Sequence, residues 1–399
     1  MNLNSRKTGI WLIGAYGDIA TTLIVGLCAR RNKLISNAGL VTELPTLQQL
    51  NLINLDELVI GGHDVIESTV NEQAEEICNR SRTFTYPLLN EISPQLTEID
   101  QAIVSMPELA WDTLKPPAAT EKLTALSEKL RKLIRQFVKN NELNHVVVVN
   151  LASAEVQVPV NESHHEMALF ETLLEDDRKD LVSPSMLCAY AAFQEHCSYV
   201  NFTPNAGAAI GALQDLAQEQ KQAYYGNDGK TGETLLKTAL APMFMARNLK
   251  IMSWEGTNML GNGDGRTLNI PENCKTKLEN KEAVLPAILG YQPHSHVEIN
   301  YVPSLGDWKT AWDFIHFQGF LDVPMTMQFT WQGCDSILAA PLVLDMVRLA
   351  EFAHEQEEAG PMNHLACFFK NPLGTKEHNF FKQFEMLLAY AAKHLPHQS

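Results

Sequence analysis

Short apolar runs punctuate the first 152 residues, and stretches of helical spacing separate them. Residues 9–13 (GIWLI) read as a buried strand, and the turn Gly14 to Gly17 leads into DIATTLIVGLCARR, whose apolar positions recur at helical intervals. LVIGG at 58–62, QAIVS at 101–105 and HVVVVNLA at 145–152 are further strand candidates, each short, β-branched and closed by a polar or small residue. Strands alternating with helices predict an α/β fold whose parallel sheet is covered on both faces.

After about residue 240 the pattern changes. A Gly/Asn-rich loop (GNGDG, 261–265) and a Lys/Glu-rich helix near 275–289 precede two runs, HVEINYVPSLGDWK and PMTMQFTW, in which apolar and polar residues alternate. Alternation suits an antiparallel or mixed sheet with one polar face. From 335 to the end helical spacing returns. The expected organisation is therefore a first domain at 1–240, a second at 241–334, and a segment at 335–399 packing back on the first. No internal repeat or low-complexity tract appears.

At 399 residues the chain is long enough for two domains. Its 47 Asp and Glu against 31 Lys and Arg leave a formal charge of −16, a field that repels polyphosphates and anionic lipid, so neither nucleic acid nor a membrane surface is expected as a partner. A small anionic metabolite needs basic groups gathered locally against that field. The 7 cysteines are odd in number, scattered and without a CxxC pair, which argues against disulfides and structural zinc. The opening apolar stretch runs into a glycine turn rather than a cleavage site, and no segment approaches the ~20 apolar residues of a membrane span. Cytoplasmic residence is the expectation.

Gly14, Ala15, Tyr16, Gly17, Asp18 and Ile19, followed by Ala20, form a degenerate dinucleotide fingerprint at the first strand, turn and helix. Such a turn offers backbone N–H groups at a helix N-terminus to a pyrophosphate; a plain βα turn is the alternative. Asp64 closes the second strand, where a carboxylate accepts ribose hydroxyls and repels a 2′-phosphate, favouring NAD over NADP. It lies further from the turn than the usual ~20 residues, so an insertion is expected at 35–55, and capping of a helix is its other reading. Asn150, Ala152 and Ser153 end the strongest strand, at the edge where α/β folds bind ligands; Asn150 either meets the nicotinamide ribose or caps the next helix.

GNDGKTG (226–232) resembles a phosphate loop, but Tyr224 stands where a triphosphate loop needs glycine. What survives is Thr231 and Gly232 opening a helix, a geometry for one monophosphate, with ordinary capping by Thr231 as its rival. Lys277 and Lys281 lie at i, i+4, where like charges oppose each other unless an anion or Glu279 and Glu282 offset them. Lys309 and Lys376 complete a set of four lysines. Gathered in a closed site, such lysines depress one another's pKa and supply an amine that takes up a proton. His294 and His296 share one side of a strand as metal ligands can, but without further ligands they read as surface residues, so no metal is expected.

Together these blocks resemble the myo-inositol-1-phosphate synthase (inositol-3-phosphate synthase) family. GAYGDIATT, VIGGHD, NLASAE, NFTPNAG, GNDGKTGETLLK, NMLGNGDG, TKLENK, VPSLGDWKTAWD and KEHNFFKQF occur in the family's order across nearly the whole chain. Gly263 and Trp308 depart from its usual residues. The resemblance implies a Rossmann-like doubly wound domain interrupted by a second α/β domain with a mixed sheet, tightly held NAD, and homotetramers. It implies conversion of D-glucose 6-phosphate to an inositol monophosphate. Asp228, Lys277, Lys281, Lys309 and Lys376 then fall on catalytic positions with Asp307 beside them, and Thr231, Gly232, Asn258, Leu260, Asn262 and Asp264 on substrate-contacting ones.

The implied chemistry is oxidation at C5, enolisation at C6, attack on the C1 aldehyde and re-reduction. Each intermediate carries charge on oxygen, which fixed ammonium groups stabilise, and lysine, unlike arginine, also carries protons. Lys277, aided by Asp228, is the expected base and acid at the C5 oxygen. Lys309 and Lys376 are expected on the oxyanions, and Lys281 with Thr231 and Gly232 on the phosphate. A simple NAD-linked dehydrogenase of a small phosphorylated substrate and a non-catalytic NAD-binding homologue are the competing readings.

Overall fold

The computed structural model describes residues 6–113, 121–261 and 284–395. Its larger sheet has seven strands: β1 (Thr8–Ile13), β2 (Leu58–Asp64), β3 (Ile103–Ser105), β4 (His145–Asn150), β5 (Ser198–Asn201), β6 (Ala223–Tyr225) and β11 (Gly360–Pro361). The order is β11-β6-β5-β4-β1-β2-β3, with every pairing parallel. The four strands legible in the sequence are its longer members and β3. Strands β5, β6 and β11 have only 4, 3 and 2 residues, too short for any periodicity to show.

Helices cover both faces. On one, α1 (Asp18–Arg31) packs with α9 (Asp335–Glu355) over Ile10, Leu12, Val147 and Val149. On the other, α4 (Leu123–Asn141) and α6 (Pro184–Gln194) bury Trp11, Val146 and Val148. Successive residues of β1 and β4 thus feed opposite cores, which explains continuous apolar runs in place of alternation. After residue 335 the chain runs along this sheet, through α9 and then β11.

The smaller sheet comprises β7 (Lys250–Leu260), β8 (His294–Tyr301), β9 (Trp308–Gln318) and β10 (Pro324–Cys334) in the order β10-β9-β7-β8. β7 and β8 are parallel and the other pairs antiparallel, so the sheet is mixed. Helix α8 (Glu233–Ala246) covers one face through Ala241 and Phe244 against Ile251, Trp254 and Ile315.

Residues 35–57 run in short 3-10 turns held down by α9. Asp345 accepts from Val41 N (2.6 Å) and Thr42 N (2.9 Å), and Arg348 reaches Glu43 (2.7 Å) and Ile53 O (3.1 Å). This is the expected insertion, and it explains why Asp64 lies so far along the chain from the turn it faces.

Candidate active site

Two adjoining hollows of about 590 and 510 Å³ share Tyr16, Gly17, Ile66 and the segment Leu151 to Ala154. They form one cleft along the carboxyl ends of the larger sheet, where parallel sheets bind ligands. Gly14 turns the chain with φ +79°, and a Cβ there would sit 3.0 Å from the backbone N and Cα of Ala152. Gly14 N and Ala15 N donate to His63 O at 3.0 and 3.2 Å. Gly17 caps α1 with no side-chain hydrogen bond, so the first amides of the helix face the cleft without an internal acceptor. Asp18 begins α1 and pairs with Arg80 at 2.7 Å, and Ile19 lines the cleft beside it.

Asp64 lies at the end of β2 and lines the same hollow. Its Oδ2 accepts from Tyr16 N at 2.8 Å, and its Oδ1 accepts from Val65 N and Ile66 N at 2.7 and 3.2 Å. It caps no helix, since Thr69 caps the next one, α2 (Val70–Ser81). Asn150 is fully buried; its Oδ1 accepts from Ala152 N at 3.1 Å, so it shapes the loop carrying Ala152 and the exposed Ser153 rather than capping a helix.

At the other end of the cleft Asp228, Thr231, Lys309, Asp335 and Lys370 converge. Lys370 Nζ donates to Asp228 Oδ1 at 2.8 Å, and their backbones pair through Lys370 N to Asp228 O at 2.7 Å. The Oδ2 of Asp228 is buried and accepts no hydrogen bond among the described residues. Thr231 does not cap α8: its hydroxyl donates to Asp335 Oδ1 at 2.8 Å, and Gly232 is the cap residue, with no side-chain bond to the helix. Among the described residues no side-chain cap therefore occupies the α8 N-terminus, whose free N–H groups and dipole suit an anion. Lys309 Nζ stands 3.3 Å from where a Gly232 Cβ would be and 4.0 Å from Asp335 Oδ1.

Other expected residues lie behind this surface. Asp307 lines the cleft, but its Oδ2 accepts from Ser336 N (3.2 Å), the Ser336 hydroxyl and the Cys334 thiol (2.8 Å), which fixes the start of α9. Burial pushes its carboxyl pKa up. Asn258 is fully buried and donates to Glu233 Oε2 at 2.5 Å, while Glu233 pairs with buried Lys237 at 2.7 Å. Asn258 thus braces the first turn of α8 from beneath and does not line the cleft. Leu260 is a buried strand end whose carbonyl accepts from Val302 N.

The lysine set needs one change. Lys376 is exposed and does not line the cleft, whereas Lys370, passed over in the sequence, is buried within it. A signal was available: Lys370 follows Phe368 and Phe369, both buried, and a lysine continuing a buried aromatic run must find a partner. Lys277, Lys281, Asn262 and Asp264 lie outside the described residues. His294 and His296 are exposed and face Glu255 and Glu298. Among the described residues no group of three or more His, Cys, Asp or Glu gathers as a metal site, and no helix is long and apolar enough to cross a membrane.

The sequence model of one family, described as Myo-inositol-1-phosphate synthase, matches residues 8–391. The inositol-3-phosphate synthase 1 of Bacteroides thetaiotaomicron is 32% identical, the alignment covering 96% of this chain and 94% of that one. The inositol-3-phosphate synthase of Dictyostelium discoideum is 28% identical over 86% of this chain and 74% of its own. Among solved structures, inositol-3-phosphate synthase from Caenorhabditis elegans superposes with a TM-score of 0.87 at 25% identity, covering 99% of this chain and 88% of that one. A myo-inositol-1-phosphate synthase-related protein from Thermotoga maritima shares the fold with a TM-score of 0.77 at 23% identity, covering 97% and 99%.

Proposed function

Because this chain belongs to the myo-inositol-1-phosphate synthase family and is an enzyme, we propose that it converts D-glucose 6-phosphate to 1D-myo-inositol 3-phosphate with NAD held in the cleft. The residues present fit that cofactor. A Cβ at Gly14 would fill the cradle between the turn and Ala152, the α1 amides suit a pyrophosphate, and Asp64 stands at the ribose end of the turn. Held by the α1 amides and Asp64, NAD would supply the hydride chemistry at C5.

The rest of the chemistry falls to side chains. The amides after Gly232 and Lys309 receive the phosphate dianion beside Thr231, whose hydroxyl is held by Asp335, and Lys309 adds its charge to oxyanions developing nearby. Lys370 and Asp228 form the proton-handling pair at a substrate oxygen. Asp228 Oδ2 accepts a substrate hydroxyl while Lys370 donates to Oδ1, which fixes the orientation of the carboxylate. Lys370 stands in the cleft in place of Lys376, which was expected on an oxyanion, and the roles of Lys277, aided by Asp228, at the C5 oxygen and of Lys281 on the phosphate are retained. Oxidation at C5 acidifies C6–H; the substrate's own phosphate takes that proton, C6 of the resulting enolate attacks the C1 aldehyde carbon, and the C1 oxygen is protonated as the ring closes, before C5 is reduced again.

The observation that carries this reading is the placement of Lys309 against the open N-terminus of α8, within the cleft that also holds the Gly14 to Gly17 turn. Incubation with glucose 6-phosphate and substoichiometric NAD, followed by phosphorus NMR, tests it. An inositol phosphate signal growing over many turnovers per NAD is expected; one NADH released per substrate would instead identify a dehydrogenase. The reading includes a homotetramer in the cytoplasm. Support for self-association comes from exposed Trp312 on β9 and Phe320, Leu321 and Val323 in the β9–β10 connection, and light scattering measures it.

A further inference from the structure

Lys309 follows Trp308, a large residue that the proposed chemistry does not use, and Trp308 is 40% exposed. Its indole is nonetheless anchored: Nε1 donates to Ser81 O at 2.8 Å. Ser81 ends α2, where helix carbonyls lack an internal partner, so the indole satisfies a group the helix itself cannot. One residue earlier, Asp307 N donates to Ser81 Oγ at 2.9 Å. Gly306 (φ +58°) lets the chains approach this closely, since a Cβ there would lie 2.9 Å from Ser81 Oγ and 3.0 Å from Arg80 O.

The anchor matters because of where β9 is held. On its β10 side, Trp308 and Lys309 pair with Cys334 and Gly333. On its β7 side the ladder stops at Thr310, opposite Met259, so among the described residues the two have no strand partner there. The bonds to Ser81 fasten that free side. Successive side chains of a strand point to opposite faces, so pinning Trp308 outward fixes the rotation of the strand end and sends the Lys309 ammonium inward, toward Gly232. Arg80, next to Ser81, pairs with Asp18 at the head of α1. The end of α2 is thereby tied at once to the dinucleotide turn and to the lysine strand.

We propose that Trp308 is a positioning residue, which through Ser81 sets the Lys309 ammonium in register with the anion-binding turn at Gly232 and, through Arg80, with the dinucleotide turn. The proposal rests on the reading that Lys309 meets the substrate phosphate. A side chain with no donor for Ser81 O leaves that side of β9 held by the Asp307 N to Ser81 Oγ bond alone, and misplacement of a group that meets the substrate by about 1 Å costs on the order of 100-fold in rate.

The test uses the full chain with NAD bound and two variants, W308F, which keeps a ring but loses the donor, and W308A. Binding of inorganic phosphate is followed by calorimetry, alongside NAD affinity, thermal midpoint and the KM and kcat for glucose 6-phosphate. Both variants are expected to bind phosphate about tenfold more weakly and to show a correspondingly raised KM, with NAD affinity within twofold of wild type and the thermal midpoint unchanged. Phosphate affinity equal to wild type in both variants overturns the proposal. So does a parallel fall in phosphate binding, NAD binding and thermal midpoint, which marks a merely structural role. A wild type that binds phosphate but makes no inositol phosphate refutes the proposed function, while the phosphate titration still decides the role of Trp308.

Discussion

Lys370 Nζ donates to Asp228 Oδ1 at 2.8 Å, and the main chains of the same two residues are hydrogen-bonded, so an ion pair from segments 142 residues apart is held at both backbone and side chain. Both residues are buried and both line the cleft. Lys370→Ala leaves Asp228 as a buried charge without this partner, and kcat is expected to fall at least 100-fold with NAD affinity retained. Lys376→Ala, altering an exposed residue outside the cleft, is expected to stay within about twofold of wild type. Steady-state assays on the two variants check the assignment, and the reverse ranking removes Lys370 from it.

Gly14→Ala places a Cβ against the backbone of Ala152 at a residue whose φ is +79°. The strain is expected to cost about 1–3 kcal/mol of stability. Crowding of the turn should weaken NAD at least tenfold. Urea unfolding and calorimetry with NAD measure the two effects, and unchanged affinity excludes the turn from the cofactor site.

Asp64→Ala removes the acceptor for three backbone amides, those of Tyr16, Val65 and Ile66. Each unsatisfied amide costs about 1–3 kcal/mol where water cannot reach it. A loss of NAD affinity of tenfold or more is expected, with Asp64→Asn, which keeps one acceptor oxygen, falling between. Fluorescence titration with NAD gives the order, and equal affinity in all three proteins rejects it.

His63 lies beneath the dinucleotide turn, fully buried, its Nδ1 accepting from the Trp11 indole at 3.0 Å. Burial pushes its pKa down to about 4 from 6.5, so the folded state holds a neutral ring while the unfolded chain takes up a proton. That stability is complete above pH 6.5 and is lost as pH falls toward 4, amounting to about 2 kcal/mol by pH 5. Asp345 and Glu351, raised by burial to about 6 and about 7, have the opposite sign, because their folded forms take up protons first as pH falls. Comparing wild type with His63→Gln by urea unfolding at pH 7 and pH 5 separates the contributions. The variant should lose less stability on acidification, and an identical loss in both proteins removes His63 as the cause.

Legibility in the sequence follows from how local each feature is. The dinucleotide turn needs only a strand, glycines and a helix in succession, all written between Thr8 and Arg31. Long strands such as β4 show because six consecutive buried residues cannot be polar throughout. Thr231 and Gly232 were legible as a helix opening, but not the detail that the Thr231 hydroxyl turns to Asp335, 104 residues away.

By itself, then, the sequence determined the α/β class, a parallel sheet beside an antiparallel or mixed one, the glycine turn between first strand and helix, and the presence of Lys309 and Asp228, because periodicity and short motifs encode backbone choices made over a few residues. Only the tertiary structure decided that Lys370 sits in the cleft, that Asp307 in its lining is turned to Ser336 while Asn258 braces α8 from beneath, and that Trp308 reaches Ser81. Those outcomes depend on burial and on contacts between distant segments. A lysine's role is set by the charge and water around it, and those come from residues that its own stretch of sequence does not contain.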